Sequence, residues 1–135
     1  MHEIPAIVAM AVYEKDCADW VDQAIASIRQ QTYSDFLYVI VIDGHISPEL
    51  LAIIMHHAED DDRLVIIKAS ANRGLATCMN FAIDWSLSLK PQYFFRMDAD
   101  DISELNRLEK QIAYLTKHAH VAILGTGLVE INEQN

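Results

Sequence analysis

Three aspartates fall within four positions in the stretch FFRMDADDISELNRLEK, at Asp98, Asp100 and Asp101. The chain already carries a formal net charge of -10. Two carboxylates about 4 Å apart repel by roughly 1 kcal/mol in water and roughly 4 kcal/mol at a half-buried site. A turn is the plain reading, because aspartate is common in loops and Asp101 or Ser103 can cap the helix that follows. Yet three carboxylates placed directly after a buried strand make an expensive turn. The residue types suit a hard cation instead. Mg²⁺ or Mn²⁺ takes oxygen ligands, usually one or two carboxylates, with phosphates and waters completing the octahedron. An Asp-x-Asp spacing lets alternate side chains of an extended segment point the same way. The cation would offset the mutual repulsion and supply the positive charge that a diphosphate requires.

Other polar residues share this character. Asp43, in VIVIDGHIS, either starts a turn with Gly44 or accepts hydrogen bonds from a base or ribose beside a glycine that admits close approach. Asn72-Arg73-Gly74 opens a helical stretch whose first amides can face an anion, and Asn80 follows on the same stretch. His56-His57 and His118-x-His120 have no cysteine partners at ligand spacing, and polar helix faces or ends account for them. Trp20, Phe94 and Phe95 read as core. Gly-x-Ser-x-Gly, Walker and Gly-x-Gly-x-x-Gly patterns are all missing, which removes the usual hydrolase, NTPase and dinucleotide readings.

The elements that must position these residues alternate along the chain. Ala6–Val12, Leu37–Ile42, Leu64–Ala69 and Tyr93–Met97 are apolar runs, read as strands covered on both faces. Helical spacing marks Asp19–Arg29, a segment from Pro48 to about Glu59 capped by Ser47, Gly74 to about Leu87, and Glu104–Lys117 with Ser103 as its cap. Further strands are expected at Val121–Leu124 and Leu128–Ile131. Strand–helix repetition with short connections predicts an α/β, doubly wound, mainly parallel sheet. In such sheets ligands sit beyond the carboxyl ends of the strands. Tyr13 and Glu14, Asp43, Ser70 to Arg73, and Asp98 to Asp101 all close strands, so they converge on one edge.

Bulk properties narrow the classes. A length of 135 residues with 52% hydrophobic composition suits one domain with a real core. No apolar run reaches the roughly 18 to 20 residues needed to span a bilayer. The start of the chain has no signal-peptide pattern, and Cys17 and Cys78 read as unpaired thiols in a reducing compartment. The acidic balance argues against nucleic acid, and it means that a phosphorylated ligand would arrive with a divalent cation.

The motifs AMAVYEKDCADWVDQAIASIRQQTY, VIVIDGHIS, NRGLATCMNFAI and FFRMDADDISELNRLEKQ, in this order, resemble those of the family 2 inverting glycosyltransferases of GT-A fold. IDGHIS resembles the variant found in bacterial capsule, amylovoran and lipopolysaccharide enzymes. The resemblance implies that Tyr13 and Glu14 meet the nucleotide, although many members carry Asn at the second position. It implies that Asp43 contacts the base, while Ile42 stands where another aspartate is common. Asn72, Arg73 and Gly74 would form part of the nucleotide wall. Asp98 would approach the ribose, Asp100 would hold Mn²⁺ or Mg²⁺ on the diphosphate, and Asp101 would sit near the donor sugar.

The implied partners are a nucleotide diphosphate sugar, a UDP-sugar first among them, and a saccharide or lipid-linked saccharide acceptor. The implied setting is the cytoplasm, at the inner face of the membrane, with peripheral attachment through parts outside this chain. In the family the general base lies later in the sequence, and neither Glu130 nor Glu133 is assigned that role. Residues 1–135 are therefore expected to be the donor-binding N-terminal part of a longer enzyme. Two rivals stand beside this reading. A sugar-1-phosphate nucleotidyltransferase would want a basic, glycine-rich loop after strand one, where Glu14-Lys15-Asp16 offers little; the other rival is a catalytically silent nucleotide-binding or interaction module.

Overall fold

The computed structural model describes residues 3–132; Glu133 lies outside them. The order is β1 (Ala6–Val12), α1 (Ala18–Arg29), β2 (Phe36–Asp43), α2 (Pro48–Asp60), β3 (Leu64–Ala69), α3 (Leu75–Ser86), β4 (Tyr93–Asp98) and α4 (Arg107–Lys117), with a short 3₁₀ turn at Leu87–Leu89 after α3. The strands form a parallel sheet in the order β3-β2-β1-β4. The chain steps outward from β1 to β3, then returns to the other side of β1. This reversal opens a crevice beyond the carboxyl ends of β1 and its two neighbours.

Both faces of the sheet are covered, which explains why its strands show no polar alternation. Val8, Met10, Tyr38, Ile40, Phe95 and Met97 pack against α1, α2 and α4 through Val21, Ile25, Ile28, Leu50, Ile54 and Leu108. Ile7, Ala9, Val39 and Val41 meet Cys78, Met79 and Ala82 of α3 on the opposite face. Each large side chain fully withdrawn from water in this way contributes about 1.5–3 kcal/mol. The expected doubly wound architecture is the one found.

Local signals place most boundaries. Ser47 caps α2, its hydroxyl accepting from the Leu50 amide at 3.1 Å, and Pro48 takes the first helical position. Ser103 does not cap α4, which begins at Arg107 after Asn106. Gln31 of the α1–β2 loop does that work from across the fold. Its amide oxygen accepts from the Leu108 amide at 3.0 Å, and its amide nitrogen donates to the Glu104 carbonyl at 2.6 Å. Ser103 is drawn aside, its backbone amide donating to the Ser27 hydroxyl and its own hydroxyl accepting from Arg107.

Three further expectations fail. The segments Val121–Leu124 and Leu128–Ile131 form no strand, and Ile123, Leu128 and Val129 are 92%, 82% and 87% exposed. A strand needs a neighbour for its backbone groups, and this segment has none among the described residues. Trp20 is exposed, one position off the buried stripe of Val21, Ala24, Ile25 and Ile28. His57 is buried. Its Nδ1 accepts from Arg29 at 2.7 Å, which fixes the proton on Nε2 and aims it at Asp22, 2.6 Å away.

Candidate functional site

The residues closing β1, β2 and β4 surround a cavity of about 410 Å³ lined by Ala11, Val12, Tyr13, Asp16, Asp43, Asn72, Gly74, Leu75, Asp98, Ala99 and Asp100. That volume suits a small-molecule ligand. On the β4 side, Asp98, Asp100 and Asp101 each offer a carboxylate oxygen, all within 4.8 Å of one another. All three are exposed, so solvent and ligands reach them. The strand direction explains the cluster. Asp98 ends β4 in register with Ala11, and the chain turns at once, the Asp101 amide donating to the Asp98 carbonyl at 3.2 Å. Three carboxylates this close form a donor set that could hold a hard divalent cation, which takes oxygen ligands and leaves positions for phosphate and water.

The local electrostatics agree with this. Partial burial raises the Asp101 pKa above the usual carboxylate range, the charges of Asp98 and Asp100 raise it further, and Arg107 pulls the other way. Arg107 is half-buried and held by bonds to Ser103, to Gln111 and to the Arg96 carbonyl. Asp16 is likewise raised, by burial first and then by the charge of Asp100, while the amide of Tyr13 opposes the shift.

The opposite wall comes from the β3–α3 loop. Asp43 ends β2 with 4% exposure. Its two carboxylate oxygens accept from the backbone amides of Arg73 at 2.7 Å and Gly74 at 3.0 Å. Gly74, at φ +90°, takes a conformation that other residues rarely adopt, and α3 starts immediately after it.

Tyr13, Asp43, Asn72, Gly74, Asp98 and Asp100 thus meet in one cavity, as expected from their places at the strand ends. Asp101 joins the acidic group without lining the cavity. Glu14 sits in the exposed turn after β1 and does not line it. Arg73 points the other way, into a groove of about 540 Å³ beside β3 with Ile67, Lys68, Phe81 and Trp85. That groove carries no carboxylate and offers nothing to a cation. Asn80 lies on the exposed face of α3.

Asp16 was missed. Its carboxylate accepts from the Tyr13 amide at 2.9 Å, and its own amide donates to the Tyr13 carbonyl. The signal was an aspartate four residues after the end of β1 and three after Tyr13, a spacing that closes a turn over the strand's carboxyl edge.

Comparison with known proteins gives one consistent picture. Residues 7–135 match the family model described as Glycosyl transferase family 2. The chain is 31% identical over 126 residues to the putative glycosyltransferase EpsE of Bacillus subtilis, covering 93% of this chain and 44% of that protein. It is 36% identical over 126 residues to the O-antigen biosynthesis glycosyltransferase WbnJ of Escherichia coli, covering 93% and 47%. The amylovoran biosynthesis glycosyltransferase AmsE of Erwinia amylovora is 32% identical over 126 residues, covering 93% and 46%. The chain therefore spans less than half the length of these relatives.

Among solved structures, S. aureus TarS 1-349 in complex with UDP-GlcNAc aligns with a TM-score of 0.72 at 18% identity, over 84% of this chain and 32% of that one. The mannosyltransferase PcManGT from Pyrobaculum calidifontis, in complex with GDP-Man and Mn2+, aligns at 0.65 and 17%, over 84% and 33%. At these identities the likeness establishes the fold.

Proposed function

The chain belongs to glycosyl transferase family 2, and on that premise we propose that residues 1–135 form the donor-binding portion of a sugar-transferring enzyme. The donor is a nucleotide diphosphate sugar held through Mn²⁺ or Mg²⁺. Transfer proceeds with inversion to a saccharide or lipid-linked saccharide acceptor during assembly of a surface polysaccharide, at the cytoplasmic face of the membrane. No helix among the described residues is long and apolar enough to cross a membrane, so attachment to the bilayer would be peripheral or through other parts.

One observation carries the proposal. Asp98 and Asp100 open into the same cavity as Asp43, and Asp101 completes a three-carboxylate group at its rim. Asp100 is the metal ligand in this reading, Asp98 faces the ribose, and Asp101 faces the donor sugar. Tyr13, Asn72 and Gly74 enclose the nucleoside, and Asp43, which lines the same cavity, contacts the base. Glu14 and Arg73 reach the nucleotide only if their exposed segments turn toward it. A divalent ion bound by these carboxylates supplies positive charge against the diphosphate that leaves the sugar. UDP is placed first as the carrier because TarS aligns in complexes with UDP and UDP-GlcNAc. GDP is the comparison to make, given PcManGT.

The decisive test is a calorimetric titration of UDP with Mn²⁺ against the native chain and Asp100→Asn. Binding that depends on Mn²⁺ in the native chain and disappears in the variant is expected; unchanged curves refute the metal assignment. Release of free nucleoside diphosphate from a panel of nucleotide sugars then separates a working transferase from a silent binding module.

A further inference from the structure

The acidic residues sit at the start of a segment with no helix or strand of its own. It runs from the end of β4 at Asp98 to the start of α4 at Arg107. Nothing local keeps its mutually repelling carboxylates together. One side chain bridges the ends of that segment. Arg107 donates through Nη2 to the Arg96 carbonyl of β4 at 2.8 Å and through Nη1 to the Ser103 hydroxyl at 3.1 Å. Its Nε donates to the Gln111 amide oxygen of α4, also at 3.1 Å. The guanidinium carbon lies 6.0 Å from the centre of the Phe95 ring. Ser103 is fixed in turn, its amide donating to the Ser27 hydroxyl of α1 at 3.0 Å. Burial opposes the charge of Arg107, and Asp101 and Asp98 are among the groups that sustain it. A planar fork with donors in three directions makes these bonds together, and an ammonium does not.

We propose that Arg107 is a positioning residue for the cation site: it fastens residues 99–106 at both ends, so that Asp100 keeps its place beside Asp98 and Asp101. This rests on the donor-binding reading for its purpose, because the ion is the one which that reading requires. Charge alone makes the opposite prediction. A guanidinium near the site repels a divalent ion, so its removal would tighten binding. A lost clamp loosens it.

The test compares the native chain with Arg107→Gln, Arg107→Lys and Ser103→Ala in two measurements. The first is calorimetric titration of Mn²⁺, alone and in the presence of UDP. Arg107→Gln is expected to bind Mn²⁺ about tenfold or more weakly, in spite of the positive charge it loses. Arg107→Lys keeps the charge without the fork and should be weakened in the same way. Ser103→Ala removes one arm and no charge, and it serves where the Arg107 variants fail to fold. It should weaken Mn²⁺ binding in the same direction by less. The second measurement is amide hydrogen exchange without ligand. The Asp101 and Ser103 amides should exchange faster in each variant while those of β1 and β2 keep their native rates, a pattern that a general loss of stability would not give. Tighter or unchanged binding in Arg107→Gln, native affinity in Arg107→Lys or Ser103→Ala, or exchange that quickens through the whole sheet overturns the proposal. A native chain that binds Mn²⁺ under neither condition overturns the donor reading, whereas exchange at Asp101 and Ser103 decides the clamp independently.

Discussion

At the scale of single residues, the acidic corner is a place where burial and like charge work against folding. The raised pKa of Asp101 means that the folded chain takes up a proton there before the unfolded chain does as pH falls. Burial first, and the neighbouring charges after it, therefore cost stability at neutral pH, and the cost fades as pH drops through the raised range toward the ordinary carboxylate value of about 3.9. Asp101→Asn should raise the melting temperature of the metal-free chain at neutral pH and leave it unchanged near the ordinary value. Exposure limits the gain to about 0.5 kcal/mol. Saturating Mn²⁺, held at Asp100 in the proposed reading, should stabilise the native chain and Asp101→Asn to the same extent, and a variant stabilised less than the native chain would add Asp101 to the ligands.

At the scale of elements, long-range side-chain bonds hold helix and strand ends that local sequence leaves loose. Gln31 ties the start of α4 to the end of α1, and its removal strands the Leu108 amide in a buried position. Gln31→Ala should cost about 1–3 kcal/mol in urea denaturation. It should also weaken Mn²⁺ binding, since the loop it anchors leads directly from Asp101.

At the far edge of the sheet, Asp61 receives a forked pair of bonds from Arg63 at 2.9 and 2.7 Å, and a longer one from Arg29 at 3.3 Å. These bonds, the Arg63 side chain first, lower its pKa to about 2. A depressed carboxylate contributes stability that is full above the unfolded value of about 3.9 and is lost as pH falls toward the folded one. Asp61→Asn should therefore destabilise the chain at neutral pH, with the difference from the native protein closing between about pH 4 and pH 2. Melting curves across that interval check the sign.

At the scale of the whole molecule, β3 and β4 are the edge strands of the sheet among the described residues. Ile123, Leu128 and Val129 add exposed apolar side chains to the same molecule. Such surfaces associate. Sedimentation velocity should show concentration-dependent self-association of the 135-residue chain. Ile123→Lys combined with Val129→Lys should shift it toward monomer without changing Mn²⁺–UDP affinity, because neither residue lines the cavity. Identical sedimentation at every concentration would argue against an apolar interface here.

By itself the sequence determined the four strands, the helices between them and the edge on which the site lies. Uninterrupted apolar runs such as Ala6–Val12 admit few structures other than strands covered on both faces. Right-handed crossovers then bring every strand's carboxyl end to one side. Tyr13, Asp43, Asn72, Gly74, Asp98 and Asp100 could be grouped on that logic alone. Only the tertiary structure decided which of them share a wall, which way Arg73 turns, that Asp16 enters the cavity, and that Gln31 rather than Ser103 holds α4. It also decided that Val121–Leu124 and Leu128–Ile131 stay out of the sheet. Each of these outcomes depends on a partner far along the chain, or on the lack of one, and periodicity within a dozen residues carries no information about where such partners meet.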